Sequence, residues 1–376
     1  MSTPLRGGAP TPERGSRYRV AIIGAGRRGE RRGGAYGIAE AHAGGYVANG
    51  ERCEIVAAAD INEENLGFFC QDYRIPGRYA DYREMLERER PDIVSVCTWP
   101  QLHAEMTIAA ARAGAKGVLC EKPMALTLPD CDAMLAAGAE SGTRLSIDHQ
   151  RRLGEPFRVA KEIARGGDIG ELLRVEMYVT GSNMYDWGTH WLDMMRFYLD
   201  EEPAEWVFAQ VDAGGGKVNW GMRLEQHSVT HVQFRNGVRG YLEIGVPIHG
   251  QAPNRLVGSD GFVELLPPDP ENPERPTVRA RVKGKGDWLV PPSTETIHAR
   301  INFARAVGDL IRAIDERHDS ELSGRRARAV TELILAAFES ALRRARVDLP
   351  LQVDRSPLDE LTALADAATP PGRAAS

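Results

Sequence analysis

Cysteine is scarce in this chain of 376 residues: Cys53, Cys70, Cys97, Cys120 and Cys131 are the full set, and no two stand in a C-x-x-C pair. An odd, unpatterned set argues against a disulfide framework and against a paired-thiol metal or redox motif. With Cys97 and Cys120 inside apolar runs, it points to buried free thiols in a reducing compartment. Long apolar runs are also missing: no stretch reaches the roughly 18 residues that a membrane-spanning helix needs. The opening "MSTPLRGGAPTPERGSR" has no apolar segment behind its charges, so residues 1–17 read as a disordered lead-in rather than a secretory signal. An excess of positive charge is lacking too, with 47 Lys and Arg against 53 Asp and Glu and a net charge of -6. That balance gives no electrostatic footprint for nucleic acid or an anionic membrane. A cytoplasmic protein with a small-molecule partner is expected.

What is present is an ordinary globular composition, 42% hydrophobic and 27% charged, in a chain long enough for two or three domains. From Tyr18 to about Asp148, short apolar runs ("YRVAII", "CEIVAAAD", "DIVSVCT", "KGVLCE", "TRLSID") alternate with longer helix-compatible segments. Continuous apolar strands separated by helices are what a parallel sheet covered on both faces requires. Residues 18–150 are therefore expected to form a doubly wound α/β domain of the Rossmann type. After Arg151 the texture changes to alternating strand patterns, the clearest being the hairpin "VQFRNGVRGYLEI" with its Asn236-Gly237 turn. Residues 151–367 are expected to form an α+β domain with a large, open, mainly antiparallel sheet. Helices near 155–165, 297–317 and 324–344 are assigned to it, and 368–376 to a disordered tail. The proline-rich "LLPPDPENPERPTVRARVKGKGD" reads as a surface loop with edge strands.

Gly24-Ala25-Gly26-Arg27-Arg28-Gly29 is a G-x-G-x-x-G directly after an apolar strand. In that position the first glycine allows a tight turn, the second lets backbone approach a pyrophosphate, and the third permits close helix–strand packing. A purely structural strand-to-helix turn is the alternative. Asp60 closes the second strand, where a carboxylate accepts hydrogen bonds from ribose hydroxyls and repels a 2'-phosphate, so NAD is preferred over NADP. Against this, Asp60 lies beyond an insert-like "ERRGGAYGIAEAHAGG", Arg27 or Arg28 can hold a phosphate, and Asp60 can simply cap the next segment.

The apolar run "GVLCEKPMAL" stops at Glu121-Lys122-Pro123. A lysine at the end of a buried strand loses hydration, a cost that something must offset. Either it pairs structurally with Glu121 or its charge is used. With G-x-G-x-x-G, Asp60, "CTWPQLH" and "CEKPMA" in order, the chain resembles the Gfo/Idh/MocA family of nicotinamide-dependent sugar and cyclitol oxidoreductases. The resemblance implies that Thr98, Trp99 and Pro100, with His103 following, line the cofactor together with Glu121 and Lys122. It also implies that Lys122 lies beside the reacting carbon, and that "DWGTHWLD" supplies the D-x-x-x-H pair as Asp186 and His190. Homodimers or homotetramers are implied too. Trp99 stands where a small or polar residue is more usual.

Oxidising a carbinol by hydride transfer needs a base for the hydroxyl proton and a cation for the developing oxyanion. His190, with an ordinary pKa near ~6.5, can be that base, and Lys122 the cation. Asp186 would orient the imidazole or a substrate hydroxyl; as an alternative, it is the N-cap of the helix. Gln150, Arg151 and Arg152 are candidates for substrate contact or for an interdomain salt bridge. Trp187 and Trp191 offer aromatic faces to a sugar ring or pack the helix. Asp186, His190 and Asp193 share a helical stripe, but no metal is expected. A redox-neutral lyase or glycosidase with transient ring oxidation, and a dinucleotide-binding regulator without turnover, are the competing functions.

Overall fold

The structure, a computed structural model, describes residues 17–26, 37–214, 218–245 and 253–368. The chain divides into two compact units, the first comprising the described residues up to Gln150 together with Arg300–Ala327, the second Arg151–Ala299 and the remainder from Arg328.

The first unit is built on six parallel strands, β1 (Tyr18–Ile23), β2 (Cys53–Ala59), β3 (Gly77–Tyr79), β4 (Ile93–Val96), β5 (Gly117–Cys120) and β6 (Arg144–Ile147), in the order β3-β2-β1-β4-β5-β6. Helices α1 (Ile38–Ala48), α2 (Glu63–Tyr73), α3 (Tyr82–Glu89), α4 (His103–Arg112) and α5 (Leu128–Ser141) connect them. Strand β1 shows why the sheet is covered on both faces: Tyr18, Val20 and Ile22 enter one buried cluster and Ala21 and Ile23 the other. Alternation at period two sends successive side chains to opposite faces, so both must be apolar. Helix starts are set locally, with Asn62, Asp81 and Thr127 accepting from the backbone N–H of Asn65, Arg83 and Asp130. The strand order reverses between β1 and β4, and in such sheets the carboxyl ends at the reversal form the ligand crevice. The residues read as an insert after Gly29 are, from Ile38 onward, helix α1 itself. Alanines, glycines and buried His42 and Tyr46 leave it without the polar stripe by which a surface helix is recognised.

The rest of the chain forms α6 (Glu155–Arg165), β7 (Leu172–Val179), α7 (Thr189–Tyr198), β8 (Ala204–Asp212), a small pair β9 (Val218–Asn219) and β10 (Met222–Arg223), β11 (His227–Phe234), β12 (Arg239–Ile244), β13 (Asn254–Gly258), β14 (Gly261–Leu265), β15 (Val278–Val282), α8 (Ile301–Glu316), α9 (Gly324–Arg343), β16 (Val347–Asp348) and α10 (Pro357–Ala368). Eight strands make one sheet, β15-β14-β13-β7-β12-β11-β8-β16. All its neighbours are antiparallel except β7 and β12. The expected hairpin is β11 and β12, with His231 opposite Tyr241 and Gly237 at φ 89° in the turn. Along β11, Ser228, Thr230, Val232 and Phe234 are buried while the residues between them are not. On the other face, Tyr241 meets His231 edge to face and Tyr178 at a tilt, with the exposed Phe208 opposite His231 in the neighbouring strand.

Helix α8 corrects the assignment of residues 151–367 to a single domain: it belongs to the first unit. Its apolar stripe of Val307, Leu310, Ile311 and Ile314 joins the β1 cluster. Two glycines admit it, since a Cβ on Gly45 would lie 2.9 Å from the Phe303 carbonyl oxygen and one on Gly117 2.7 Å from Ile314.

Candidate active site

Four strand ends of the first unit carry the residues singled out from the sequence. Gly24 follows β1 with φ 89°, and a Cβ there would lie 2.8 Å from the Cys97 carbonyl oxygen and 3.0 Å from Thr98 Cγ2. Only glycine fits, and the turn continues at Gly26 with φ 74°. Arg27, Arg28 and Gly29 lie outside the described residues. Asp60 follows β2 and holds this turn directly: its Oδ2 accepts from the Ala25 N–H at 2.8 Å, and its Oδ1 from Asn62 at 2.8 Å. One carboxylate thus braces the glycine turn and the residues leading to α2, whose cap is Asn62.

Beyond β4, Thr98 donates to Met106 Sδ, Trp99 is 56% exposed, and Pro100 opens a short helical turn into α4. His103 is fully buried, its Nδ1 2.8 Å from the Pro123 carbonyl and its Nε2 3.1 Å from that of Thr98. Burial holds its pKa below the ordinary value. It braces the Thr98 and Pro123 loops from behind, which is a different placement from the expected one among residues lining the cofactor. Lys122, half-buried after β5, donates its backbone N–H to Glu121 Oε2 at 3.2 Å.

Beneath these loops lies a network that the sequence did not reveal. His42 of α1, with no exposed surface, places Nε2 3.0 Å from Glu121 Oε1 and 3.3 Å from Asp148 Oδ2, while its Nδ1 is 3.0 Å from Ser95 Oγ. Tyr46 reaches the same serine at 2.8 Å. His42, Glu121 and Asp148 are the described residues whose donor atoms, all within 4.8 Å of one another, could surround a cation. The only signals in the sequence were a histidine amid alanines and glycines and an acid just past β6. All five cysteines are free and buried, Cys97 beside this histidine.

In the second unit, Asp186 sits on a π-helical turn, Met184–Gly188, that runs directly into α7. The capping residue is Asn183, whose side chain accepts from the Asp186 N–H at 2.9 Å, so the alternative of Asp186 as N-cap is set aside. Single π turns inside helices occur frequently at functional sites. His190, one residue into α7, is buried. Asp193, which shared its stripe, is taken up elsewhere: Arg152, 1% exposed, clasps both its oxygens at 2.7 Å and also reaches Glu201. Asp193 is thus paired with Arg152, which is structural. Arg151 is buried with its guanidinium 4.9 Å from the ring centres of both Trp187 and Trp191, and burial draws its pKa down to about 10. The two indoles thus pack against a cation. Glu225, also unforeseen, accepts from the Met184 N–H at the start of the π turn, and burial pushes it up to about 7. Gln150 belongs to the first unit, at its boundary.

The profile of the oxidoreductase family with an NAD-binding Rossmann fold matches residues 18–149, and that of the GFO/IDH/MocA C-terminal domain matches residues 174–264. The chain belongs to the Gfo/Idh/MocA family. It is 29% identical to the 1,5-anhydro-D-fructose reductase of Ensifer adhaerens over 52% of this chain and 66% of that protein. It is 30% identical to the myo-inositol 2-dehydrogenase of Thermotoga maritima over 50% of this chain and 60% of that one. The match therefore spans less than two thirds of these relatives' length. In fold it is similar to a levoglucosan dehydrogenase in complex with NADH and levoglucosan, with a TM-score of 0.74 at 20% identity over 89% of this chain and all of that one. Among the described residues no helix is long and apolar enough to cross a membrane.

Proposed function

We propose that this Gfo/Idh/MocA protein is an NAD-dependent oxidoreductase that moves hydride between a secondary hydroxyl of a sugar, sugar derivative or cyclitol and the nicotinamide. The observation that carries the reading is the set of strand ends: a glycine turn too tight for any side chain after β1, a carboxylate after β2 holding that turn, and a lysine after β5. Gly24, Gly26 and Asp60 would hold the dinucleotide, with Thr98 and Trp99 beside it. NAD, when bound, supplies the hydride acceptor. Lys122 stabilises the alkoxide that forms as the hydroxyl proton leaves, before hydride departs from carbon, an effect strongest where water is excluded. His190 takes the hydroxyl proton and returns it in the reverse direction, a role that typically contributes about 10²- to 10⁴-fold. Asp186, held by the Asn183-capped turn, orients the imidazole or a neighbouring substrate hydroxyl. Gln150, Arg151 and Trp187 are proposed substrate neighbours. Self-association into dimers or tetramers is supported by the aromatic face of Tyr178, His231, Tyr241 and Phe208.

A screen of NAD and NADP against sugars, cyclitols and glycosides tests the reading, with cofactor absorbance and sugar products followed together. Net NADH formation on a polyhydroxylated substrate is expected. Product release at constant absorbance would assign redox-neutral chemistry instead, and binding without any turnover a regulator.

A further inference from the structure

His42 lies at the bottom of the first unit's site without touching its surface, and its surroundings are unusually specific. Glu121 after β5 and Asp148 after β6 face its Nε2 at 3.0 and 3.3 Å; Ser95 of β4, bonded to Tyr46 of α1, faces its Nδ1 at 3.0 Å. Cys97 lies alongside, Phe303 of α8 closes the far side with ring centres 5.9 Å apart, and Lys122 acts on Glu121 through its charge. Asp148 is 1% exposed, and neither of its oxygens has a hydrogen-bond donor among the described residues apart from the nearby His42 ring. A buried carboxylate in that position is costly unless a cation compensates it.

Two buried carboxylates, Glu121 and Asp148, converge on Nε2 and favour an imidazolium, while the Ser95 hydroxyl at Nδ1 can accept from that form or donate to a neutral ring. Burial opposes that charge, yet Cys97, Asp148 and Glu121 together hold His42 well above its ordinary value. Burial raises both the Cys97 thiol and the Asp148 carboxyl above their ordinary values, so Glu121 is the facing carboxylate held in its charged form. Glu121 in turn is held below its ordinary value: burial pushes it up, but its bond to His42 outweighs that.

We propose that His42 is a positioning residue, a buried imidazolium that locks the Glu121 and Asp148 strand ends together and so fixes the turn carrying Lys122. The proposal rests on Lys122 being the group that stabilises the substrate oxyanion. Glu121 is the link: one oxygen takes the His42 hydrogen bond and the other takes the Lys122 backbone N–H. Displacing a catalytic group by about 1 Å can cost on the order of 10²-fold in rate, which sets the scale of the expected effect.

The test begins with the intact wild-type chain. Nitrogen-15 spectra of the His42 ring are recorded in the absence of substrate from about pH 6 to 9; both nitrogens protonated across the upper half of that range is the expected result. A neutral tautomer at pH 7 would overturn the proposal. So would a stoichiometric metal ion removed by chelation, which would make the three residues a cation site. His42→Gln is then expected to lower kcat by roughly 10- to 100-fold with NAD affinity unchanged, and to move the acid limb of kcat to higher pH as Glu121 loses its cationic partner. A loss of stability with an unmoved pH profile would reduce His42 to a packing residue. Should His42→Gln fail to fold, His42→Gln with Asp148→Asn, which removes the stranded carboxylate as well, is expected to fold and to show the same kcat loss and profile shift. Full turnover in Lys122→Ala would refute the oxyanion role while leaving the spectroscopic result for His42 standing, so the two failures are distinguishable.

Discussion

Replacing Arg152 by Met is the perturbation whose cost the structure defines most sharply. Arg152 and Asp193 are each 1% exposed, and two hydrogen bonds of 2.7 Å join them. Glu201, the other partner of Arg152, keeps Arg196 at 3.0 Å when Arg152 is gone, so the loss falls mainly on Asp193. Removing one member of a buried pair typically costs about 3–5 kcal/mol, because the remaining charge is left desolvated. At roughly 2–4 °C per kcal/mol for a unit of this size, the unfolding midpoint should fall by about 6–20 °C. The mechanism makes a further demand. Since the cost is that of a buried carboxylate losing its two-bond counter-charge, Arg152→Met with Asp193→Leu should recover most of the loss, giving a coupling of at least about 2 kcal/mol in a double-mutant cycle. The assay is calorimetry of the single and double variants, with the transition of the second unit followed through its tryptophans. A single-variant loss below about 1 kcal/mol, or additive losses in the double variant, would refute the assignment of Arg152 as the clamp on α7.

Glu225 predicts a pH dependence of stability. Its pKa in the folded chain is raised from 4.5 to about 7, so the folded state binds the proton more tightly; the favourable contribution is complete below 4.5 and is lost as pH rises through 7. The loss amounts to about 3 kcal/mol at 1.36 kcal/mol per unit, and urea titrations at pH 5 and 8 should show it in the wild type and not in Glu225→Gln; an identical pH slope in both would contradict it. Asp60→Ala should weaken NAD binding and relax the rejection of NADP, because it removes both the acid proposed to face the ribose and the acceptor of the Ala25 N–H. Unchanged selectivity by fluorescence titration would assign Asp60 to the turn alone.

The first unit was largely legible because its information is local. Apolar runs at strand length, a glycine turn after the first of them and E-K-P after the fourth are each contained within about ten residues, and their order specifies the sheet. The hairpin of β11 and β12 was equally local, its register set by Asn236-Gly237. What escaped was long-range or conformational. Helix α8 carries an apolar stripe that any covered surface would satisfy; that it docks on the first unit is decided by Gly45 and Gly117, far away in sequence. Asp186 and His190 are four residues apart in either an α- or a π-helix, so spacing alone could not announce the π turn. Strands β9, β10, β13 and β16 and helix α10 are short, or lie outside the strongly alternating segments. The His42 network is assembled from residues 42, 95, 121 and 148, each unremarkable alone, and only the sheet order brings them within hydrogen-bond distance.

The proposed assignment gives the alkoxide to the Lys122 ammonium and the hydroxyl proton to the His190 imidazole. It is tested by comparing Lys122→Ala and His190→Ala with the wild type on the substrate that the screen identifies. Single-turnover NADH formation should fall by about 10²- to 10⁴-fold in each variant, with NAD affinity preserved; undiminished turnover in both would contradict it.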